Sequence, residues 1–165
     1  MIASLVARFE SGHEERCTAH LVEPERARTA AHCAWRGGDV LAHAWLRFAG
    51  GPEIEAIVEV DPAFSLSMGD ARWLADRAWL RLPSPISLAP LRACTRLPAE
   101  VVLPRDPTQR APLLVSPVGL LLAPGLRTAP GDSGSPWLDP VENCVAAMHL
   151  GVLADGTPLG QGAGG

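Results

Sequence analysis

The sequence lacks two residue types altogether and has little of a third class. It contains no lysine and no tyrosine, and aromatic residues make up 5% of it. All 14 basic residues are therefore arginines, and together with abundant alanine, proline and glycine they indicate a GC-rich, bacterial genome. The formal net charge of −4 argues against nucleic acid as a partner, because phosphate binding requires clustered cations.

Long apolar stretches are also missing. The apolar run in residues 1–9 is too short for a signal peptide and lacks a cleavage-site pattern, so we interpret it as a first β-strand. No membrane partner is predicted. None of the cysteines has the C-x-x-C spacing of a zinc or redox site, and no metal or other cofactor is expected.

The residues that are abundant favour strands and turns. The 165 residues include 16 prolines and 16 glycines, and no long apolar stripe repeats with helical periodicity. This composition predicts an all-β protein of many short strands. The length corresponds to one domain and is sufficient to bury a core.

The most informative motif is the stretch 131–136, Gly-Asp-Ser-Gly-Ser-Pro. It is typical of a nucleophilic serine, which needs a base to take its proton and backbone donors to hold the charge on the substrate oxygen. Gly131 allows a tight turn that leaves its N–H open beside that of Ser133. Gly134 removes any side chain that would crowd the hydroxyl. The alternative is a simple turn without chemistry, and the rest of the chain argues against it.

Two upstream segments supply the other groups that such a serine requires. His32 follows a predicted strand and adjoins Cys33, which can fix its position. Asp76 precedes alternating apolar residues, which predicts a carboxylate at the start of a strand, buried against an imidazole N–H. Asp70 is the competing acid, but it lies in a turn with no strand behind it. The order His, Asp, Ser is one in which this triad occurs.

The sequence resembles the trypsin/chymotrypsin-like serine peptidases of the bacterial type. The resemblance is carried, in the family's order, by residues 17–33, 76–82 and 131–136. It implies an acyl-enzyme mechanism in which His32 is general base and then general acid, Asp76 orients it, and Ser133 is the nucleophile. The N–H groups of Gly131 and Ser133 would form the oxyanion hole.

The same resemblance implies a fold of two six-stranded antiparallel β-barrels with the active site between them. Residues 1–82 would form the N-terminal barrel, residues 83–90 the crossover linker, and residues 91–165 the C-terminal barrel. The chain ends soon after Ser133 in a glycine-rich stretch. We therefore expect the family's final barrel strand and C-terminal helix to be missing, with the strand supplied by the remainder of a longer or cleaved chain. The alternative is a compact variant with a disordered tail.

The resemblance fails at the family's activation device. In digestive-type members a newly cut Ile/Val amino terminus pairs with the aspartate before the serine, which is Asp132 here. No Ile-Val-Gly-Gly stretch is present. Either Asp132 has another partner, or something outside the chain organises the oxyanion hole. We expect a peptidase regulated by a protein partner or another chain.

The residues before the serine and the strand after it line the family's primary pocket. Arg127 stands where trypsin-like enzymes place an aspartate, which argues against cleavage after Lys or Arg. Thr128 and His149 match positions with which glutamyl endopeptidases hold an acidic side chain, so a hydroxyl and an imidazolium, helped by Arg127, would bind a carboxylate. Leu150 and Gly151 would pair with the substrate backbone. The alternative is an ordinary loop threonine and a half-buried strand histidine.

The cysteines bear on the cellular compartment. By resemblance, Cys17 and Cys33 form a disulfide that braces the histidine loop and stabilises the fold by about 3 kcal/mol. Cys94 and Cys144 can form a second bridge, and four reduced, buried cysteines are the alternative. The absence of a signal peptide predicts a cytoplasmic protein, whereas a Cys17–Cys33 bridge would favour secretion.

Two functional classes follow. The first is a serine endopeptidase that acts on a protein or peptide substrate. The second is a catalytically silent trypsin-like module that binds a protein partner through the cleft or an open barrel edge. The three triad residues favour the first class, while the missing activation device and the early end of the chain keep the second open.

Overall fold

The computed structural model describes residues 1–163, which form two antiparallel β-sheets and a few short helical segments; Gly164 and Gly165 lie outside the described residues. The strands of the first sheet are β1 (Ile2–Phe9), β2 (Glu14–Glu23), β3 (Arg26–Thr29), β4 (Leu41–Phe48), β5 (Glu53–Glu55), β6 (Ile57–Val60) and β7 (Ala78–Arg81). Those of the second are β8 (Glu100–Leu103), β9 (Asp106–Pro112), β10 (Leu114–Val115), β11 (Leu121–Leu122), β12 (Pro136–Leu138), β13 (Val145–Val152) and β14 (Pro158–Gly162).

The helical segments lie in the first half of the chain. A 3₁₀ turn (Ala31–Cys33) follows β3, and two helices, α1 (Pro62–Leu66) and α2 (Gly69–Ala75), connect β6 to β7. The carboxylate of Asp61 caps α1 by accepting a hydrogen bond of 2.9 Å from the N–H of Ala63. No helix in residues 1–163 is long and apolar enough to cross a membrane.

The first sheet closes on itself through one bent strand. Its order is β5-β4-β1-β2-β3-β7-β6, and the two end strands are separated in sequence by Ala56 alone. The N–H of Ala56 bonds to the carbonyl of Ala44 at 2.9 Å, so the segment stays attached to β4 while it turns toward β7. The seven strands therefore form a barrel of six, because β5 and β6 are two halves of one strand.

The second sheet closes in the same way. Its order is β10-β11-β14-β13-β12-β8-β9, and the end strands β9 and β10 are separated only by Leu113. Closure removes free sheet edges, which would otherwise pair with other chains. The predicted fold class, two six-stranded antiparallel barrels of the chymotrypsin type, is confirmed, with each barrel counted as seven strands because one strand bends.

The final barrel strand, which the sequence was expected to lack, is present. β14 lies inside the second sheet between β13 and β11. Gly160 in this strand is explained by packing, since a Cβ atom there would lie 2.9 Å from the ring of the fully buried Trp137. Within residues 1–163, no helix follows this strand.

Alternation along the strands builds the two cores. In β1 the side chains of Ala3, Leu5, Ala7 and Phe9 are buried while Arg8 points to solvent, as a strand with one inward face requires. The core of the first barrel also receives two side chains from the second, Met148 and Leu150 of β13. β13 therefore fastens the barrels to each other.

Both candidate disulfides are formed. Cys17 of β2 is bonded to Cys33 in the 3₁₀ turn, with Cα atoms 6.2 Å apart, and Cys94 is bonded to Cys144, with Cα atoms 4.9 Å apart. Both separations are ordinary for disulfides. The first bridge ties the turn that carries His32 to the neighbouring sheet.

We predict that Gly160→Ala destabilises the protein and that Gly162→Ala, in the same strand, does not. An added methyl group at 160 would overlap the Trp137 ring, whereas a Cβ atom at 162 meets no atom within 4 Å. Overpacking of this kind costs about 1–3 kcal/mol. Urea unfolding of both variants measures the difference, and equal stabilities would contradict the packing argument.

Candidate active site

The two barrels bring three of the predicted residues together in the cleft between them. His32 lies in the 3₁₀ turn after β3, and Asp76 follows the last residue of α2, two residues before β7. Ser133 lies in the turn that leads into β12 of the second barrel. The first barrel thus supplies the histidine and the acid, and the second supplies the serine.

These three side chains form a continuous line of hydrogen bonds. Asp76, which is 1% exposed, accepts from the backbone N–H of His32 at 2.9 Å and lies 2.7 Å from its Nδ1. Nε2 of His32 lies 2.9 Å from Oγ of Ser133. A proton on Nδ1, facing the carboxylate, leaves the lone pair of Nε2 free to accept the serine proton. The competing acid, Asp70, is an exposed residue in the first turn of α2.

The backbone around Ser133 is held by β2 in a shape that leaves two donors open. The hydroxyl of Thr18 donates to the carbonyl of Gly131 at 2.8 Å, and its N–H donates to the carbonyl of Ser133 at 2.8 Å. Gly131 has a φ of 95°, which favours glycine. Within residues 1–163, neither the N–H of Gly131 nor that of Ser133 donates to a protein acceptor. Both N–H groups can therefore donate hydrogen bonds to the oxygen of a substrate.

Asp132 is paired within the chain. It is buried and forms a two-point ion pair with Arg105, in which Nε lies 2.9 Å from Oδ1 and Nη2 lies 2.8 Å from Oδ2. The N–H of Ala129 donates to the same carboxylate at 2.7 Å. The hydrogen bonding of the Arg105 guanidinium to the Asp132 carboxylate raises the pKa of Arg105 above its usual value. Of the two alternatives that the sequence left open, another partner for Asp132 or an organiser outside the chain, the structure shows the first.

Arg105 was missed by the sequence reasoning. It lies in the tight turn between β8 and β9, 27 residues before its partner, and no motif surrounds it. The one available signal was indirect: a buried carboxylate needs a cation, and every basic residue in the chain is an arginine. Nη2 of Arg105 also donates to the carbonyl of Arg127 at 3.0 Å, which extends its hold to the segment before Gly131.

Gly134 is also required for contact between the two barrels, in addition to the role predicted for it beside the hydroxyl. A Cβ atom at this position would lie 1.9 Å from the carbonyl oxygen of Thr18 and 2.5 Å from Oγ1 of Thr29. The glycine therefore allows the serine loop to contact the first barrel, and the crowding it avoids is with β2 and β3. His20, buried on β2, lies with Nδ1 3.1 Å from the carbonyl of Gly134 and donates to it.

The five residues predicted for substrate binding lie in different surroundings. Arg127 is exposed, Thr128 is half-buried, and His149 is buried with its Nδ1 unpartnered among residues 1–163. Burial lowers the pKa of His149 to about 4, so its imidazole is neutral at pH 7 and is not the imidazolium we expected. The carbonyl of Leu150 lies 3.3 Å from Oγ of Ser133, which brings β13, including Gly151, alongside the triad.

A cavity of about 310 Å³ opens directly beside the triad and was not predicted. Its walls are His32, Asp76 and Leu150 together with residues of the α1–α2 segment, namely Phe64, Gly69, Arg72 and Trp73. The aromatic rings give it an apolar surface, and the Arg72 guanidinium lies 4.3 Å from the centre of the Phe64 ring.

The fold is that of the trypsin/chymotrypsin-like serine peptidases, as the sequence motifs predicted. No protein-family model matches the sequence, and a search of curated proteins gave no match. Among solved structures, the active form of the Rv3671c protease from M. tuberculosis aligns with a TM-score of 0.67 and 18% identity, covering 99% of this chain and 76% of that one. At such identities the likeness establishes the fold alone.

Two further solved structures show the range of proteins that share this fold. A Glu endopeptidase in complex with MPD aligns with a TM-score of 0.68 and 15% identity, covering 96% of this chain and 84% of that one. A scabies mite inactivated protease paralogue aligns with a TM-score of 0.71 and 13% identity, covering 99% of this chain and 89% of that one.

We predict that lowering the pH from 7 to 5 destabilises the protein partly through its buried histidines. Burial lowers the pKa values of His20 and His149 to about 4. An unfolded histidine binds a proton below about pH 6.5, whereas these folded ones do so only near pH 4, so stability is full above pH 6.5 and falls toward pH 4. At pH 5 each contributes a loss on the order of 2 kcal/mol.

Urea unfolding of the wild type and His149→Leu at both pH values measures this effect. The variant should lose less stability than the wild type between pH 7 and pH 5. His13→Leu, at a surface histidine that is 39% exposed, is the control and should follow the wild type. Equal losses in the wild type and His149→Leu would contradict the assignment.

Proposed function

We propose that this protein is a serine endopeptidase that hydrolyses protein or peptide substrates through an acyl-enzyme. The observation that carries the proposal is the unbroken hydrogen-bonded line from Asp76 through His32 to Ser133. Each of the three residues has the hydrogen-bond partner that its role requires, and Asp76 is buried where its carboxylate bonds to the histidine.

The reaction follows from this geometry. Nε2 of His32 takes the proton of the Ser133 hydroxyl as Oγ bonds to the carbonyl carbon of the substrate. Asp76 stabilises the imidazolium, and the N–H groups of Gly131 and Ser133 bind the negatively charged oxygen. His32 then gives its proton to the departing amine, which leaves an acyl ester on Ser133. Water, deprotonated by His32, hydrolyses the ester and restores the enzyme.

The substrate backbone lies along the edge of β13 beyond Leu150. Gly151 is half-buried and Val152 is exposed, so this edge can add one more strand in the manner of β-augmentation.

Regulation through Asp132 does not require a second protein. Arg105 supplies the positive charge that this buried carboxylate needs, and it does so from within the same barrel. The loop of residues 129–135 is therefore organised for catalysis by the chain itself, and the site is competent when the protein has folded.

The primary pocket favours an acidic side chain. His149 offers an unpartnered, buried imidazole nitrogen, and Arg127 supplies a positive charge at the surface near the serine loop. A carboxylate that enters the pocket raises the pKa of His149 again and gains a charge-assisted hydrogen bond. Thr128 adds a hydroxyl from the loop before Gly131.

The compartment is an oxidising one. Both disulfides are formed, and such bridges persist in secreted and periplasmic proteins but are rare in a reducing cytosol. This favours the secreted alternative over the cytoplasmic location that the N-terminal sequence suggested.

The second candidate function is a catalytically silent module that binds a protein partner. The likeness to an inactivated protease paralogue shows that the fold alone does not decide between the two. The hydrogen-bonded triad favours the enzyme, because a silent module has no need to retain it.

We predict that a fluorophosphonate probe labels the wild-type protein and that Ser133→Ala and His32→Ala abolish labelling. The probe bonds to a serine only when a base activates the hydroxyl. Ser135→Ala, two residues along the chain, is the matched control and should label normally. Absence of labelling in folded wild type would favour the silent module.

We predict that a peptide library is cleaved mainly after Glu or Asp and that Arg127→Ala weakens this preference by about tenfold in kcat/KM, the loss expected for one charge-assisted contact. Mass spectrometry of the products gives the cleavage sites. Cleavage mainly after Arg, Lys or large apolar residues would overturn the assignment of the pocket without affecting the triad.

A further inference from the structure

A glutamine of the second barrel reaches across the cleft to the helix that carries the triad's acid. Gln161 of β14 is buried, and its Nε2 donates to the carbonyl of Leu74 at 2.7 Å and to that of Trp73 at 3.2 Å. These carbonyls belong to the last turn of α2, and Asp76 follows that turn directly.

The carbonyl groups at the end of α2 have few other hydrogen-bond donors. The last carbonyls of a helix have no partner within it, and a helix of seven residues has little stability of its own. The N–H of Asp76 also bonds to the Trp73 carbonyl, at 3.3 Å. Gln161 and the Asp76 backbone therefore share one acceptor, so the position of the acid depends on where the amide holds the end of the helix.

Arg28 of β3 fixes the orientation of this amide. Its Nη2 donates to Oε1 of Gln161, and the same guanidinium donates to the carbonyls of Gly162 at 3.2 Å and Ala163 at 3.0 Å. Because a guanidinium only donates and carbonyls only accept, Oε1 must face Arg28 and Nε2 must face α2. Burial lowers the pKa of Arg28 to about 10, and it remains a cation at pH 7.

The same helix touches the strand along which we place the substrate. A Cβ atom on Gly151 would lie 3.6 Å from Cη2 of Trp73, so the indole packs against β13. α2 thus contacts the second barrel through the Trp73 ring and through Gln161, while its end delivers Asp76 to His32.

We propose that Gln161, oriented by Arg28, is a positioning residue for Asp76, through which the second barrel holds the acid of the triad in register with His32. This inference rests on the proposed peptidase function. Gln161 touches neither substrate nor the reacting atoms, and it acts only through the end of α2.

Two substitutions at one position separate this role from a merely structural link between barrels. Gln161→Glu keeps an acceptor for Arg28, so the link and the fold are retained, but its carboxylate has no N–H to donate to α2. Gln161→Met removes both contacts without adding charge. If donation to α2 positions Asp76, both variants lose activity; if the Arg28 contact alone matters, only the second does.

The expected loss in kcat is about tenfold or more in both variants, with KM nearly unchanged, since a misplacement of about 1 Å can cost up to about a hundredfold. In Gln161→Met the acidic limb of the kcat/KM profile should move to lower pH, because a displaced carboxylate stabilises the His32 imidazolium less. Amide exchange at residues 73–77 should accelerate in both variants.

The measurements use the full chain and a peptide anilide chosen from the library profile, with rates corrected for the folded fraction from circular dichroism. Arg28→Met should reproduce the loss, and Arg26→Met, at a half-buried arginine of the same strand that pairs with Glu23, should not. Wild-type kcat in folded Gln161→Glu, or unchanged exchange at residues 73–77, would overturn the proposal. A wild-type chain that neither cleaves peptides nor labels would instead overturn the peptidase function.

Discussion

The ion pair between Asp132 and Arg105 is the interaction on which the rest of the site depends. A buried carboxylate without a cation is destabilised by several kcal/mol. The loop of residues 129–135 would then turn its acid toward solvent, and the N–H groups of Gly131 and Ser133 would turn with it. With Arg105 in place, the carboxylate accepts three contacts from the arginine and one from the N–H of Ala129. The turn between β8 and β9 thus supplies, from within the chain, the positive charge that pairs with Asp132.

The triad also depends on contacts that cross from one barrel to the other. Thr18 of β2 binds two carbonyls of the serine loop, and Gly134 allows the loop to approach at that distance. On the opposite side of the cleft, Gln161 of β14 binds the end of the helix that leads to Asp76. Each barrel therefore makes contacts with the segment of the other barrel in which Ser133 or Asp76 lies. The geometry of the site depends on the contacts between the two barrels. A change that shifts one barrel against the other therefore alters the positions of both Asp76 and Ser133.

The sequence predicted the parts of this site whose chemistry is local and missed the parts whose chemistry is long-range. The motifs around His32 and Ser133 are short and chemically specific, and they also implied the two barrels. Arg105 and Gln161 carry no motif, because their partners are chosen by tertiary contact over 27 and 87 residues or more. Gly160 of β14 was misinterpreted for a related reason: only the folded structure shows that Trp137 fills the space that a side chain would occupy there. The neutral state of His149 likewise follows from its burial, which no local sequence pattern indicates.

The claim that Arg105 keeps the serine loop ready for catalysis is tested most directly by the rate at which a fluorophosphonate reacts with Arg105→Met. We expect a fall of about a hundredfold relative to wild type, at the lower end of the range found when one oxyanion-hole donor is lost. The reaction rate of Arg105→Lys should lie between those of the wild type and Arg105→Met, since an ammonium cannot bind both carboxylate oxygens in a bidentate manner. Arg110→Met, at an exposed arginine of β9, is the control and should react like wild type. A folded Arg105→Met variant that reacts at the wild-type rate would show that the oxyanion hole keeps its conformation without the ion pair, and the claim would be wrong.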